Sequence, residues 1–169
     1  MAAVLSADDE ASRETAELLG VAARVKPVVV ADLCECSLGL WEGVQKSELG
    51  ERFCRAGKLW SENPCCVTPP EGESFEEFAD RLLKGLRRAL LKIRSRGRRS
   101  NLGVPAVGLV LRPISDALVR CWLTGAPVGD MGSILKERPG AMWLDADVEA
   151  EWSLPLRATV ARPGAASAA

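Results

Sequence analysis

The stretch Ala106-Val107-Gly108-Leu109-Val110-Leu111-Arg112-Pro113-Ile114-Ser115-Asp116, continuing through Ala117-Leu118 and Cys121-Trp122 to Gly125, decides the fold class. Ala106 to Leu111 is a continuous apolar run of the kind a parallel strand shows when both its faces are covered. Pro113 suits a first helical turn, where its missing N–H is not needed. Ala117, Leu118, Cys121 and Trp122 recur at helical spacing, and Gly125 supplies the stop.

The same alternation continues on both sides. Ala2-Ala3-Val4-Leu5 is a short apolar run; Ser6-x-x-Asp9, acidic first-turn residues and Ala16, Leu18 and Leu19 then predict a helix closed by Gly20. Val28-Val29-Val30 reads as a β-branched strand between Pro27 and Asp32, and 33–43 as a loop. Val44 to Leu49 and Phe53 to Trp60 read as one broken helix or two short ones, interrupted near Gly50 and stopped by Asn63-Pro64. From Ser74 runs the longest helix, with a Ser74-x-x-Glu77 capping box and an apolar stripe through Phe75, Phe78, Ala79, Leu82, Leu86, Ala89, Leu90 and Ile93. Met142-Trp143-Leu144 reads as one more strand. Together these predict a three-layer α/β/α sandwich around a mostly parallel central sheet, as a single domain over 1–161 with a flexible tail over 162–169.

Composition bounds the chemistry. The chain has 169 residues, 47% hydrophobic and 27% charged, enough for one core that buries about 70% of the unfolded surface. A formal charge of -1 argues against a dedicated polyanion binder. Histidine is absent, which removes the usual general base near neutral pH, the commonest zinc ligand and every Ser-His-Asp, Cys-His or phosphohistidine reaction within this chain. The cysteines form a C-x-C (Cys34, Cys36), an adjacent pair (Cys65, Cys66) and two singles (Cys54, Cys121), spacings wrong for a zinc ribbon. With no secretory signal and no membrane-length apolar run, the expectation is reduced thiols in a cytoplasmic protein without metal or cofactor.

In a parallel sheet, ligands bind beyond the carboxyl ends of the strands, where helix N-termini favour anions. Three junctions fall there: Leu5-Ser6, the segment from Val30 to Gly43 with Glu35, and Leu111-Arg112-Pro113. Arg112 either meets a phosphate with its guanidinium fork or lies at the rim of the sheet facing water.

These junctions also carry a family resemblance. Ser6 to Thr15-Ala16-Glu17, Leu33-Cys34-Glu35 with Gly39-Leu40-Trp41-Glu42-Gly43, Pro70-Glu71-Gly72-Glu73-Ser74, and Val110-Leu111-Arg112-Pro113 with Gly125 resemble the histidine phosphatase superfamily, in the branch of cofactor-independent phosphatases and phosphoglycerate mutases. The resemblance runs in order from about Ala2 to Gly125 and implies a phosphoglycerate mutase-like fold. It implies a reaction in which phosphate passes to a histidine in an Arg-His-Gly motif on the first strand, while a second histidine and two arginines hold it and a glutamate protonates the leaving oxygen. Only the glutamate survives here, as Glu35. The second histidine aligns with Arg112, its glycine with Pro113, and one arginine with Ala11, leaving Arg13 as an off-register substitute. The chain begins where the family's second strand should be. Either a first strand is encoded upstream or the chain lacks one, and the backbone groups its loss would leave unpaired inside the sheet favour the former.

The function expected is a phosphoglycerate mutase-like protein without catalysis, with weak anion or phosphometabolite binding around Arg112, Arg13 and Ser6, and with Glu35 paired to Arg112 or Arg13. The alternative is an active phosphomonoesterase completed by an upstream Arg-His-Gly strand. A nucleic-acid module built on Lys84, Arg87, Arg88, Lys92, Arg94, Arg96, Arg98 and Arg99 is disfavoured, because cations gather at a helix C-terminus anyway and no aromatic residues interleave them. No membrane partner is expected; a second copy of the chain is a candidate partner.

Overall fold

In the computed structural model, residues 1–98, 106–137 and 142–148 are described. The chain runs β1 (Ala3–Ser6), α1 (Glu10–Ala23), β2 (Val28–Val29), α2 (Lys46–Arg52), α3 (Cys54–Glu62), α4 (Phe75–Arg98), β3 (Val107–Val110), α5 (Pro113–Thr124) and α6 (Met131–Ile134), with single 3-10 turns between several of them. The strands form a parallel sheet in the order β2-β1-β3, with Leu5 opposite Val28 and Leu109, and Ser6 opposite Val29 and Val110. All of β1 is buried, as befits the central strand. Side chains alternate along it. Leu5 and Ala7 join a core built from α4 and α5, in which Phe78, Leu82, Leu83, Leu86, Ala117 and Leu118 are closed to solvent, whereas α1 packs on β1 through Ser12, Ala16 and Gly20.

Local signals in the sequence are realised at the caps. Glu77 accepts from the Ser74 N–H at 3.0 Å while its own N–H donates to Ser74 Oγ at 3.3 Å, completing the box at the start of α4. Pro113 opens α5, and Gly125, at φ 71°, closes it in the left-handed conformation.

Several expectations are corrected. Asp9, not Ser6, caps α1 by accepting from the Ser12 N–H at 3.0 Å. Helix α1 passes Gly20 and ends at Arg24, φ 54°; Gly20 is instead the place where Pro27 lies so close that a Cβ would sit 2.8 Å from its ring. The break between α2 and α3 falls at Phe53 rather than near Gly50. Met142-Trp143-Leu144 forms no strand; Met142 and Trp143 are 50% and 83% exposed and find no neighbouring strand to pair with among the described residues. Strand β3 is half-exposed throughout rather than covered on both faces, since it pairs with β1 alone among the described residues. Among the described residues β3 therefore has an open edge on the side away from β1, and no gap lies between β1 and its neighbours. The tail expected over 162–169 lies outside the described residues.

Candidate functional site

Parallel strands deliver the three junctions to one end of the sheet. After β2 the chain makes a 3-10 turn, Ala31–Leu33, that buries Leu33 and lies against α4 at Gly85, where a Cβ would sit 2.2 Å from the Asp32 Cβ. Arg81 on α4 then organises the following loop. Its guanidinium takes Glu73 at both ends, 2.9 Å from Nε to Oε1 and 2.7 Å from Nη2 to Oε2, and donates to the carbonyls of Asp32 at 2.8 Å, Cys34 at 3.1 Å and Glu35 at 3.4 Å. Five donors in a planar fork suit this task, which lysine's single ammonium would not match. Arg88 secures Asp32 from two turns further along α4 at 2.6 Å.

So held, Glu35 turns its carboxylate to the start of α5. It accepts from the Ile114 N–H at 2.8 Å, the Ser115 N–H at 3.0 Å, the Ser115 hydroxyl at 3.0 Å and the N–H of Cys36 at 3.1 Å. Arg112, at the N-cap of α5, makes no capping bond of its own, so Glu35 does from a distant segment what an N-cap side chain does locally. Burial pushes the Glu35 carboxyl above its ordinary range, against the pull of these donors.

The two glycine-bearing motifs clasp one another. The Leu40 N–H donates to Pro70 O at 3.0 Å and the Glu73 N–H to Ser37 O at 3.0 Å. Gly39, at φ 51°, passes so near that a Cβ would lie 2.3 Å from Pro70 O. Trp41 is driven into the core, its ring 5.4 Å from Phe53 and 6.0 Å from Trp60, while Glu42 accepts from the Leu38 N–H and Ser37 hydroxyl at 3.3 Å each.

Of the residues singled out in the sequence, Glu35 and the α5 start are brought together, but neither expected arginine reaches Glu35. Arg13 pairs with Asp8 one turn away. Arg112 is exposed at the rim, its carbonyl accepting from the Asp116 N–H at 2.8 Å but its guanidinium without a hydrogen bond or ion pair among the described residues; its charge acts on Asp9, whose carboxyl burial would raise but the Ser12 bonds and Arg112 hold low. Ser6 is fully buried, and its hydroxyl has no hydrogen-bond partner among the described residues. The thiols of Cys36 and Cys65 are pushed up to about 12 by burial, and that of Cys121 is raised for the same reason, which favours the thiol over the thiolate. In the basic cluster, Lys84 pairs with Asp80 and Arg88 with Asp32, and Arg87 and Arg94 are engaged as well. Sequence reading missed Arg81; the one signal for it was Glu73 two turns earlier on the approach to the same helix.

The profile of the histidine phosphatase superfamily (branch 1) matches residues 1–134. A bifunctional protein of Mycobacterium tuberculosis is 33% identical over 91 residues, 54% of this chain and 25% of that protein. The chain therefore spans about a quarter of the length of the curated relatives it matches. Among solved structures, a mycobacterial glucosyl-3-phosphoglycerate phosphatase bound to VO3 is similar at TM-score 0.63 and 25% identity, covering 78% of this chain and 62% of that one. The alpha-ribazole phosphatase of Shigella flexneri is similar in fold at TM-score 0.57 and 20% identity, over 76% and 59%.

Proposed function

The chain belongs to the histidine phosphatase superfamily, and on that premise we propose that it is a non-catalytic member, in which the acid of the reaction has become a structural cap. The observation that carries this reading is the Glu35 carboxylate, with three backbone N–H groups and one hydroxyl directed at it. A general acid needs a proton directed at a leaving oxygen; here the carboxylate faces only donors. The absence of histidine agrees, as do Arg112 and Pro113 at the positions that the family resemblance assigns to a His-Gly pair. What anion affinity remains rests on Arg112, because Arg13 is held by Asp8 and Ser6 is enclosed. A small phosphorylated ligand is the chemical class that suits it, bound weakly, since a single exposed guanidinium contributes little.

The test is phosphate release by the purified chain from a generic aryl phosphate and from 3-phosphoglycerate. No turnover above buffer is expected. Turnover that Glu35→Ala abolishes would overturn the proposal.

The open edge of β3 favours a second reading, an active phosphomonoesterase whose catalytic strand is supplied by residues upstream of Met1 and pairs there. Codons preceding Met1 that encode a strand ending in Arg-His-Gly would support it. Codons that encode nothing strand-like would end it.

A further inference from the structure

Helix α1 is built inside out. Its inward face is the small-residue row Ser12, Ala16 and Gly20, which lets it settle closely on the sheet, while Leu18 and Val21 project into solvent at 74% and 80% exposure and Leu19 at 40%. At 100° per residue, Leu18 and Val21 lie opposite the buried row, on one outer stripe with Glu14, and Ala11 and Ala22 flank that stripe, all exposed. Apolar side chains scattered singly on a surface are ordinary, whereas Leu18 and Val21, three residues apart on one face, adjoin to form a small apolar patch that a contact can cover.

The charges around that stripe say what covers it. Glu10, Glu14 and Glu17 lie on the N-terminal side of Leu18, and Arg24 and Lys26 follow Val21; all five are exposed, and none forms an ion pair among the described residues. An anionic membrane surface is opposed by the three glutamates. A purely basic partner helix would suit them but would confront Arg24 and Lys26 with like charge. A second copy in antiparallel orientation satisfies both ends. A twofold axis crossing α1 between Leu18 and Val21 sets Leu18 of one copy against Val21 of the other, and brings Glu14 of each toward the Arg24–Lys26 segment of its mate. The self-complementary order, acidic then apolar then basic, is what an isologous contact requires.

We propose that the outer face of α1 is a homodimer contact centred on Leu18 and Val21, with Glu14 paired to Arg24 or Lys26 across the twofold axis. The proposal is independent of whether the chain catalyses anything.

The experiment is sedimentation equilibrium on the purified chain over a concentration series. The wild type is expected to approach twice the 18.1 kDa chain mass. Val21→Glu should return it to one chain mass, with an unchanged circular dichroism spectrum because the side chain is exposed. Glu14→Lys should weaken dimerisation at least tenfold, and adding Arg24→Glu and Lys26→Glu to it should restore most of that loss, which a merely apolar association would not. A monomer at every concentration overturns the proposal, as does a dimer indifferent to Val21→Glu or a charge reversal without rescue.

Discussion

Replacing Glu35 by alanine removes the group that receives the first free N–H groups of α5, and the cost follows from the geometry. Ile114 and Ser115 lose an acceptor at 2.8 and 3.0 Å, and the Cys36 N–H loses one at 3.1 Å. A buried donor left without a partner costs about 1–3 kcal/mol, and water entering the half-buried loop recovers part of it, so the net loss is about 3 kcal/mol. At about 2–4 °C per kcal/mol for a chain of this size, the thermal midpoint falls by about 6–12 °C. Thermal unfolding followed by circular dichroism measures it. Glu35→Gln keeps one acceptor and should lose about half as much. It also reports on titration. Burial raises the Glu35 pKa above 4.5, so the folded chain holds that proton more tightly than the unfolded one; the contribution is fully present below the unfolded value and is lost as pH rises through the folded one. The deficit of Glu35→Gln relative to wild type should therefore shrink as pH rises from acid toward neutral. A Glu35→Ala chain as stable as wild type would refute the capping argument, and a Glu35→Gln deficit that grows with pH would show that the four donors outweigh burial.

Three further outcomes follow from the same contacts. Arg81→Lys keeps the charge but loses the fork that spans Glu73 and three carbonyls, and should lower stability by about 2–3 kcal/mol in urea unfolding; a loss below about 0.5 kcal/mol, the scale of a neutral surface change, would mean the loop holds itself. Gly39→Ala adds a Cβ 2.3 Å from a backbone oxygen at positive φ, whereas Gly43→Ala, at φ 76°, meets nothing, so Gly43 should cost about 1 kcal/mol and Gly39 clearly more. Equal costs would argue against the clasp between the two motifs. Cys36, its thiol pushed up to about 12, should react with iodoacetamide at neutral pH far more slowly than exposed Cys66, read by mass spectrometry of peptides.

Much of the scaffold was legible because its signals are local. A capping box spans three residues, a proline at a helix start and a glycine at its end act on their own turn, and the apolar run before Arg112 needs no partner to be recognised. The misreadings arose where a neighbour intervened. Gly20 looked like a helix stop and proved to be a seat for Pro27; Met142-Trp143-Leu144 had strand composition but no strand to pair with among the described residues. The candidate site was legible as a set of junctions and illegible as a set of contacts. Glu35 was identified, but its expected arginine partners were not its partners, and Arg81, which holds the loop, is marked among the cations of α4 only by Glu73 on the approach to the same helix.

The sequence by itself determined that this chain alternates strands and helices, that it carries the motifs of a phosphatase scaffold in their order, and that it holds no histidine to run that chemistry. Only the tertiary structure decided which donors the Glu35 carboxylate meets and, among the described residues, which edge of the sheet lies open and which face of α1 is exposed. The physical reason is range. Caps and periodicities are settled between residues a few positions apart, while the bond from Glu35 to Ile114 joins positions 79 apart in the chain, and forms only because a parallel sheet carries both segments to the same end.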